Sequence, residues 1–293
     1  MIVRRRHLAI LFVVATLPCR SLRAAGLPVE FQRHGNQIEV LIGGKPFTTY
    51  YFGPEAPKPF LHPLRSAQGT IVTRGYPMVK NIPGEDHDHP HHRALYFAHG
   101  DINGIDFWGE GTPAKAAQTA QGVYYSSEEL PKGRTVFREL EEMKGGADSG
   151  TLRARFDLVG PDGKAIGAET QEYTIRGDDS SRTIDCAFAL TANPGPLKMG
   201  DTKEGTFAIR VAKALDSPPG HMLNSDGAVG EAAIWGKRAD WVDYSGTVQG
   251  ERLGIAIFDY PGNIKHPTYW HARGYGLFAV NPFGEHDFYN DQA

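Results

Sequence analysis

"LRARFDLVGPDGKAIGAETQEYTIR", residues 152–176, decides the fold class. LRARFDLV and AIGAETQEYTIR are runs of strand-forming residues, and Pro161-Asp162-Gly163 between them supplies a turn. Proline pre-sets φ, aspartate bonds to nearby backbone and glycine accepts a positive φ. The segment therefore reads as a β-hairpin. QIEVLI (37–42), GGKP and FTTYYF (47–52) give the same strand, turn and strand. RTIDCAFALTA (182–192), TFAIRVA (206–212), GIAIFDY (254–260) and GLFAV (276–280) follow, each bounded by turn formers. Glycine and proline together number 55, well above the usual share. Only PAKAAQTA (113–120) and HRALYFAH (92–99) could make a helical turn or two. MKGGADSG (143–150) reads as a hairpin tip, and no repeat or linker divides the chain. The expectation is all-β: one antiparallel two-sheet sandwich over residues 26–293.

Residues 1–25 read differently. Arg4, Arg5 and Arg6 precede the apolar run LAILFVVATL (8–17), and Ala24-Ala25 follows. A basic head, a core too short to span a bilayer and a small-residue exit describe a secretory signal peptide, so the expected location is periplasmic or secreted. Losing that leader removes five arginines and moves the formal charge from −3 to −8. An acidic chain without basic runs argues against nucleic acid and anionic membrane surfaces, and no transmembrane segment is legible after residue 25. Cys186 is then the single cysteine, without a histidine nearby in sequence, and reads as a small buried apolar residue.

Three stretches do not read as core. GEDHDHPHHRALYFAHGD (84–101) holds five histidines and three aspartates in eighteen positions. Pro90 makes a central strand unfavourable, so the cluster belongs to a loop or sheet edge. His91 and His92 suit general acid–base work near neutral pH. His87, His89 and His99 equally suit a divalent transition metal, with Asp101 or Asp106 as a carboxylate ligand. A solvated loop with no role is the third reading. In KMGDTKEGTFAIRVA, Asp201, Lys203 and Glu204 occupy a turn. If that turn faces the histidines, Glu204 becomes a base tuned by Lys203 and burial. In PGNIKHPTYWHARGYGLFAVNPFGEH, His266, His271, Arg273 and His286 alternate with Tyr269, Trp270, Tyr275 and Phe283. Aromatic faces among hydrogen-bonding groups suit a carbohydrate or sugar-derived small molecule. The expected roles are His91 or His92 as acid and Glu204 as base. Arg93, His271, Lys203, Arg273 and Asn281 bind hydroxyls or a carboxylate, and Trp108, Tyr269 and Trp270 give stacking surfaces.

DHPHHRALYFAHGDINGIDFW, GTFAIRVA, WVDYSG and HPTYWHARGYGLFAVNPFG resemble the signatures of a bacterial family labelled PmoA, a label borrowed from a methane oxygenase, over residues 50 to 290. Such sequences usually carry glycine where this chain has Ala94. A true component of membrane methane oxygenase needs several apolar spans of roughly twenty residues, which this chain lacks, so methane oxidation is rejected. The resemblance implies instead a secreted β protein of sugar-degrading bacteria, often encoded with oxidoreductases and sugar isomerases. The strand layout also resembles the supersandwich of galactose mutarotases and some polysaccharide lyases, an architectural analogy.

Overall fold

The computed structural model describes residues 25–110 and 130–289. Most of the 1–25 leader and the 113–120 segment therefore lie outside the described residues. Among the described residues fifteen strands fall into three antiparallel sheets. The largest has eight strands in the order β1-β2-β3-β4-β5-β10-β15-β14. These are Val29–His34, Gln37–Ile42, Lys45–Tyr51, Phe60–Leu61, Leu95–His99, Gly205–Arg210, Leu277–Asn281 and Tyr269–Ala272 respectively. A meander of β6 (Arg134–Lys144), β7 (Gly150–Val159), β8 (Ala165–Gly177) and β9 (Arg182–Ala192) forms the second sheet. The third contains β11 (His221–Asn224), β12 (Trp241–Val248) and β13 (Glu251–Phe258).

Turn chemistry sets the hairpins. Gly43 and Gly44 between β2 and β3 take φ of 59° and 72°, the left-handed pair that a two-residue hairpin requires. In the β7–β8 hairpin, Asp162 Oδ1 accepts the Lys164 N–H at 3.1 Å and Gly163 sits at φ 78°. The 143–150 segment is a hairpin tip, as its sequence implies. HRALYFAH, in contrast, is not helical: residues 95–99 form β5, because pairing with β4 and β10 overrides a weak local helical preference.

The two smaller sheets pack side by side on one face of the large one. Phe188 of β9 stacks on Phe97 at 4.3 Å, Tyr173 of β8 meets Tyr50 at 5.5 Å, and Tyr244 of β12 stacks on Phe278 at 4.5 Å. The fold is thus a sandwich of two layers, one of them divided into two sheets, and a single apolar core joins all three. Cys186 lies half-buried against this core, and burial pushes its thiol far up. One polar network is sealed inside. Tyr50 and Tyr173 hydroxyls both donate to Gln171 Oε1 at 2.8 Å, and the Gln171 amide donates to Glu169. Among the described residues no helix is long and apolar enough to cross a membrane.

Candidate active site

The other face of the large sheet carries the candidate site. Register aligns Tyr96 of β5, Ala208 of β10, Ala279 of β15 and His271 of β14 in one cross-strand row. Side chains in such a row share a face. The alternate residues Leu95, Ile209, Phe278 and Trp270 enter the sandwich core. Two alanines between a tyrosine and a histidine leave low ground, with Arg210 and Leu277 in the next row.

The histidine-rich loop is tied down over this face by two buried arginines. Arg74 donates to Asp88 Oδ1 at 2.6 Å, to the Asp88 carbonyl at 2.9 Å and to the His89 carbonyl at 2.8 Å. Arg210 reaches the same carboxylate at 3.1 Å. Burial alone would raise the Asp88 pKa. The His89 hydrogen bond and the two guanidiniums reverse that and hold it far below the usual carboxylate range. A second knot lies beside the first: buried Lys58 meets Glu110 at 2.9 Å and the Trp108 carbonyl at 2.7 Å, and Arg93 meets Glu110 at 2.8 Å.

His91 and His271 each fall within electrostatic reach of Glu204. Lys203 Nζ lies 2.8 Å from Glu204 Oε1. Burial alone would raise Glu204, but Lys203, His271 and His91 bring it down to about 2. His271 Nδ1 is 2.9 Å from the Lys203 carbonyl. A carbonyl only accepts, so Nδ1 carries the hydrogen and Nε2 keeps its lone pair. Burial lowers His271 to about 4 against the pull of Glu204. Burial, then the Lys58 charge, lowers His91 to about 3. Both imidazoles are neutral at pH 7, and the His91 ring makes no side-chain hydrogen bond among the described residues. The buried Tyr96 hydroxyl also lacks a hydrogen-bond partner.

This geometry revises several expected roles. Glu204, held as a carboxylate of very low pKa, is a weak base and acts as a fixed negative charge. His92 is fully buried, its Nδ1 accepting from Arg210 at 3.3 Å, and it stacks on His89 at 4.7 Å as packing rather than as an acid. Trp270 is fully buried in the core with its indole N–H on the Ala239 carbonyl at 2.8 Å, so it offers no stacking floor. Trp108 is equally enclosed, beneath Tyr96. Tyr269 packs against Phe288 of the short helix Glu285–Tyr289 and donates to Glu285 at 3.2 Å. Asn281 braces the Glu204 turn by donating to the Thr202 carbonyl at 2.8 Å.

The residues expected to hold a metal do not converge. His87 is exposed and stacks on Tyr76 at 4.6 Å, while His89 bonds Asp88 and stacks near Tyr275 at 5.4 Å. His99 alternates with Tyr96 and Ala98 and therefore points through the opposite face, where Nε2 bonds the Gly200 carbonyl at 2.8 Å. Asp101 caps the Gly104 N–H, and Asp106 is engaged by Lys132 at 2.6 Å. Among the described residues no group of three or more His, Cys, Asp or Glu is placed to hold a metal ion.

Lys58, Arg74, Arg210, Glu110 and Tyr275 are the site's neighbours that sequence reasoning missed or left without a role. A signal was present for Arg210, an arginine inside the otherwise apolar TFAIRVA, and for Lys58, alone between prolines. A separate groove beside β12 is lined by Pro219, His221, Ser245, Thr247 and Arg252, without a carboxylate. Neither a curated protein nor a solved structure matches the chain. Residues 37–292 match the profile described as Family of unknown function (DUF6807), and the chain belongs to that family.

Proposed function

We propose that the chain is an exported carbohydrate-active enzyme that moves a proton on a sugar-derived small molecule, in an epimerase, lyase or hydrolase reaction. One observation carries this reading. Two neutral imidazoles, His91 and His271, about 180 residues apart in the chain, both fall within electrostatic reach of one ionised carboxylate, Glu204. His271 Nε2 takes a proton from a substrate hydroxyl or carbon, the electron pair staying on the substrate. The imidazolium that forms is compensated by Glu204, the role of a buried carboxylate beside a catalytic histidine. His91 is the second proton carrier, and Tyr96 and Lys203 hydrogen-bond substrate oxygens. The likeness to sequences labelled PmoA, from sugar-degrading bacteria, and the leader-like residues 1–25 support a sugar substrate and a periplasmic or secreted location.

The test uses chain lacking residues 1–25, a panel of sugars and glycosides, and product or solvent-deuterium incorporation followed by NMR. Positioned acid–base groups contribute roughly 10²- to 10⁴-fold, so His91→Ala should cost at least about a hundredfold with the fold intact. A smaller loss removes His91 from the chemistry. Saccharide binding without turnover or exchange would make the chain a binding protein instead.

A further inference from the structure

Resting on that acid–base reading, we propose that the substrate is an anionic sugar whose oxyanion is gripped by Arg273 beside Lys203. Among the described residues five cations line the site, and Lys58, Arg74, Arg93, Lys203 and Arg210 pair with Asp88, Glu110 and Glu204. The terminal nitrogens of Arg74 and Arg210 are taken up by Asp88, loop carbonyls and His92, and Arg93 and Lys58 pair with Glu110, although the Nε atoms of Arg74 and Arg210 stay without a partner.

Arg273 differs. Its guanidinium spreads over the rings of Tyr275 at 5.7 Å and Trp235 at 5.9 Å, and stays about four-fifths buried. Its Nε lies 3.3 Å from Glu231, yet that buried nitrogen makes no hydrogen bond, and its terminal nitrogens hydrogen-bond nothing among the described residues. Arg273 shares the Tyr275 ring with Arg210, which ties it to the same face. A planar guanidinium with an open edge suits bidentate capture of an oxyanion. Glu231, whose other oxygen accepts the Gly274 N–H at 2.6 Å, fixes the plane from behind.

The position explains the pairing with a neutral base. Arg273 is two residues beyond His271, so a carboxylate held there puts its adjacent C–H beside that imidazole. Removing that hydrogen as a proton leaves its electron pair delocalised into the carboxylate, whose oxygens carry the charge onto Arg273. Return of a proton to the opposite face gives the epimer. Expulsion of an alkoxide from the next carbon, protonated as it leaves, gives the unsaturated acid.

Calorimetric binding to glucuronate and galacturonate, short oligo-uronates, glucose 6-sulfate, glucose 6-phosphate and glucose tests this. Uronates should bind, glucose should not, and Arg273→Met should weaken binding roughly ten- to a hundredfold, as loss of a charge-assisted pair implies. In wild-type protein, raising salt from 20 to 500 mM should weaken uronate binding several-fold, a readout independent of the variant's folding. Binding of the sulfate or phosphate ester alone supports the oxyanion site but overturns the carboxylate step. Glucose bound as tightly as uronate, salt-insensitive binding, no binding by any probe, or an unchanged Arg273→Met protein overturns the inference. Turnover of a neutral sugar that still requires His91 would do so while leaving the acid–base reading intact.

Discussion

Replacing Glu169 by glutamine should stabilise the protein, and only at high pH. Glu169 is 2 % exposed, inside the sandwich, and its nearest polar neighbour is the amide of Gln171. Burial raises its carboxyl from 4.5 to about 7, partly offset by that hydrogen bond. A folded-state pKa above the unfolded value means that the folded state holds the proton more tightly. Stability therefore falls as pH rises from 4.5 to 7, and the whole penalty is present above 7. At about 1.4 kcal/mol per pH unit over that interval, the penalty is about 3 kcal/mol. Glutamine keeps an oxygen for the Gln171 amide and carries no charge. Glu169→Gln should thus exceed wild type by about 3 kcal/mol at pH 8 and converge on it near pH 4.5. Urea unfolding of both proteins at pH 4.5, 6 and 8 reads this directly, and the melting gap at pH 8 should be roughly 6–12 °C. A constant offset from the glutamine N–H groups would shift all three differences equally, so the slope is the test. A difference that does not change with pH, or one that grows toward acid, refutes the buried-carboxyl reasoning.

Other substitutions separate scaffold from site. Ala94 sits at φ 59° in a buried position, a left-handed conformation that costs an alanine roughly 1 kcal/mol. Ala94→Gly should raise stability by about 1 kcal/mol in denaturant titration, whereas a loss would mean that the methyl's packing outweighs the strain. Trp270→Phe should cost roughly 2–4 kcal/mol of stability from lost core volume and the Ala239 hydrogen bond while leaving ligand affinity unchanged. Loss of affinity at full stability would restore Trp270 to the binding surface. If His271 works as a neutral base, kcat/KM should stay flat from pH 8 to about 5 and fall through its lowered pKa of about 4. A midpoint near 6.5 would show an ordinary solvated imidazole instead.

The hairpins were legible because their pairing is local. β2–β3, β7–β8 and the tip at 145–149 are each specified by turn chemistry and neighbouring strand-formers. The large sheet was not, because its centre is non-local: β10 lies between β5, more than a hundred residues earlier, and β15, nearly seventy later. Nothing in a strand's own residues names such a partner. The same limit hid the division of the second layer into two sheets.

The site divides along similar lines. His91, Glu204 and His271 stood out because polar, titratable residues interrupt apolar surroundings. Trp270 was misread although its neighbour held the answer. Successive strand residues point to opposite faces, so His271 and Trp270 cannot both line one hollow. The histidine lies on the charged face and the tryptophan in the core. Lys58 and Glu110 were invisible for another reason: each is ordinary alone, and the ion pair exists only because two loops meet above β4 and β5.

Stability does not explain that charged face. Covering the second side of an eight-stranded sheet needs only apolar side chains, as Phe60, Tyr96, Trp108 and Leu277 already show there. Sinking Arg74, Arg210 and Lys58 beneath loops costs several kcal/mol of desolvation per ion, which pairing returns in part, and apolar replacements of similar volume often do as well or better. What such pairs provide is position. Asp88, gripped by two arginines that also hold the His89 carbonyl and His92, fixes the loop on which His91 stands. Asn281, bonded to the Thr202 carbonyl, does the same for the turn bearing Lys203 and Glu204. Two separate stretches are thus held rigidly against one strand row that presents His271, and rigid placement of groups from distant segments is what proton transfer at a defined atom demands.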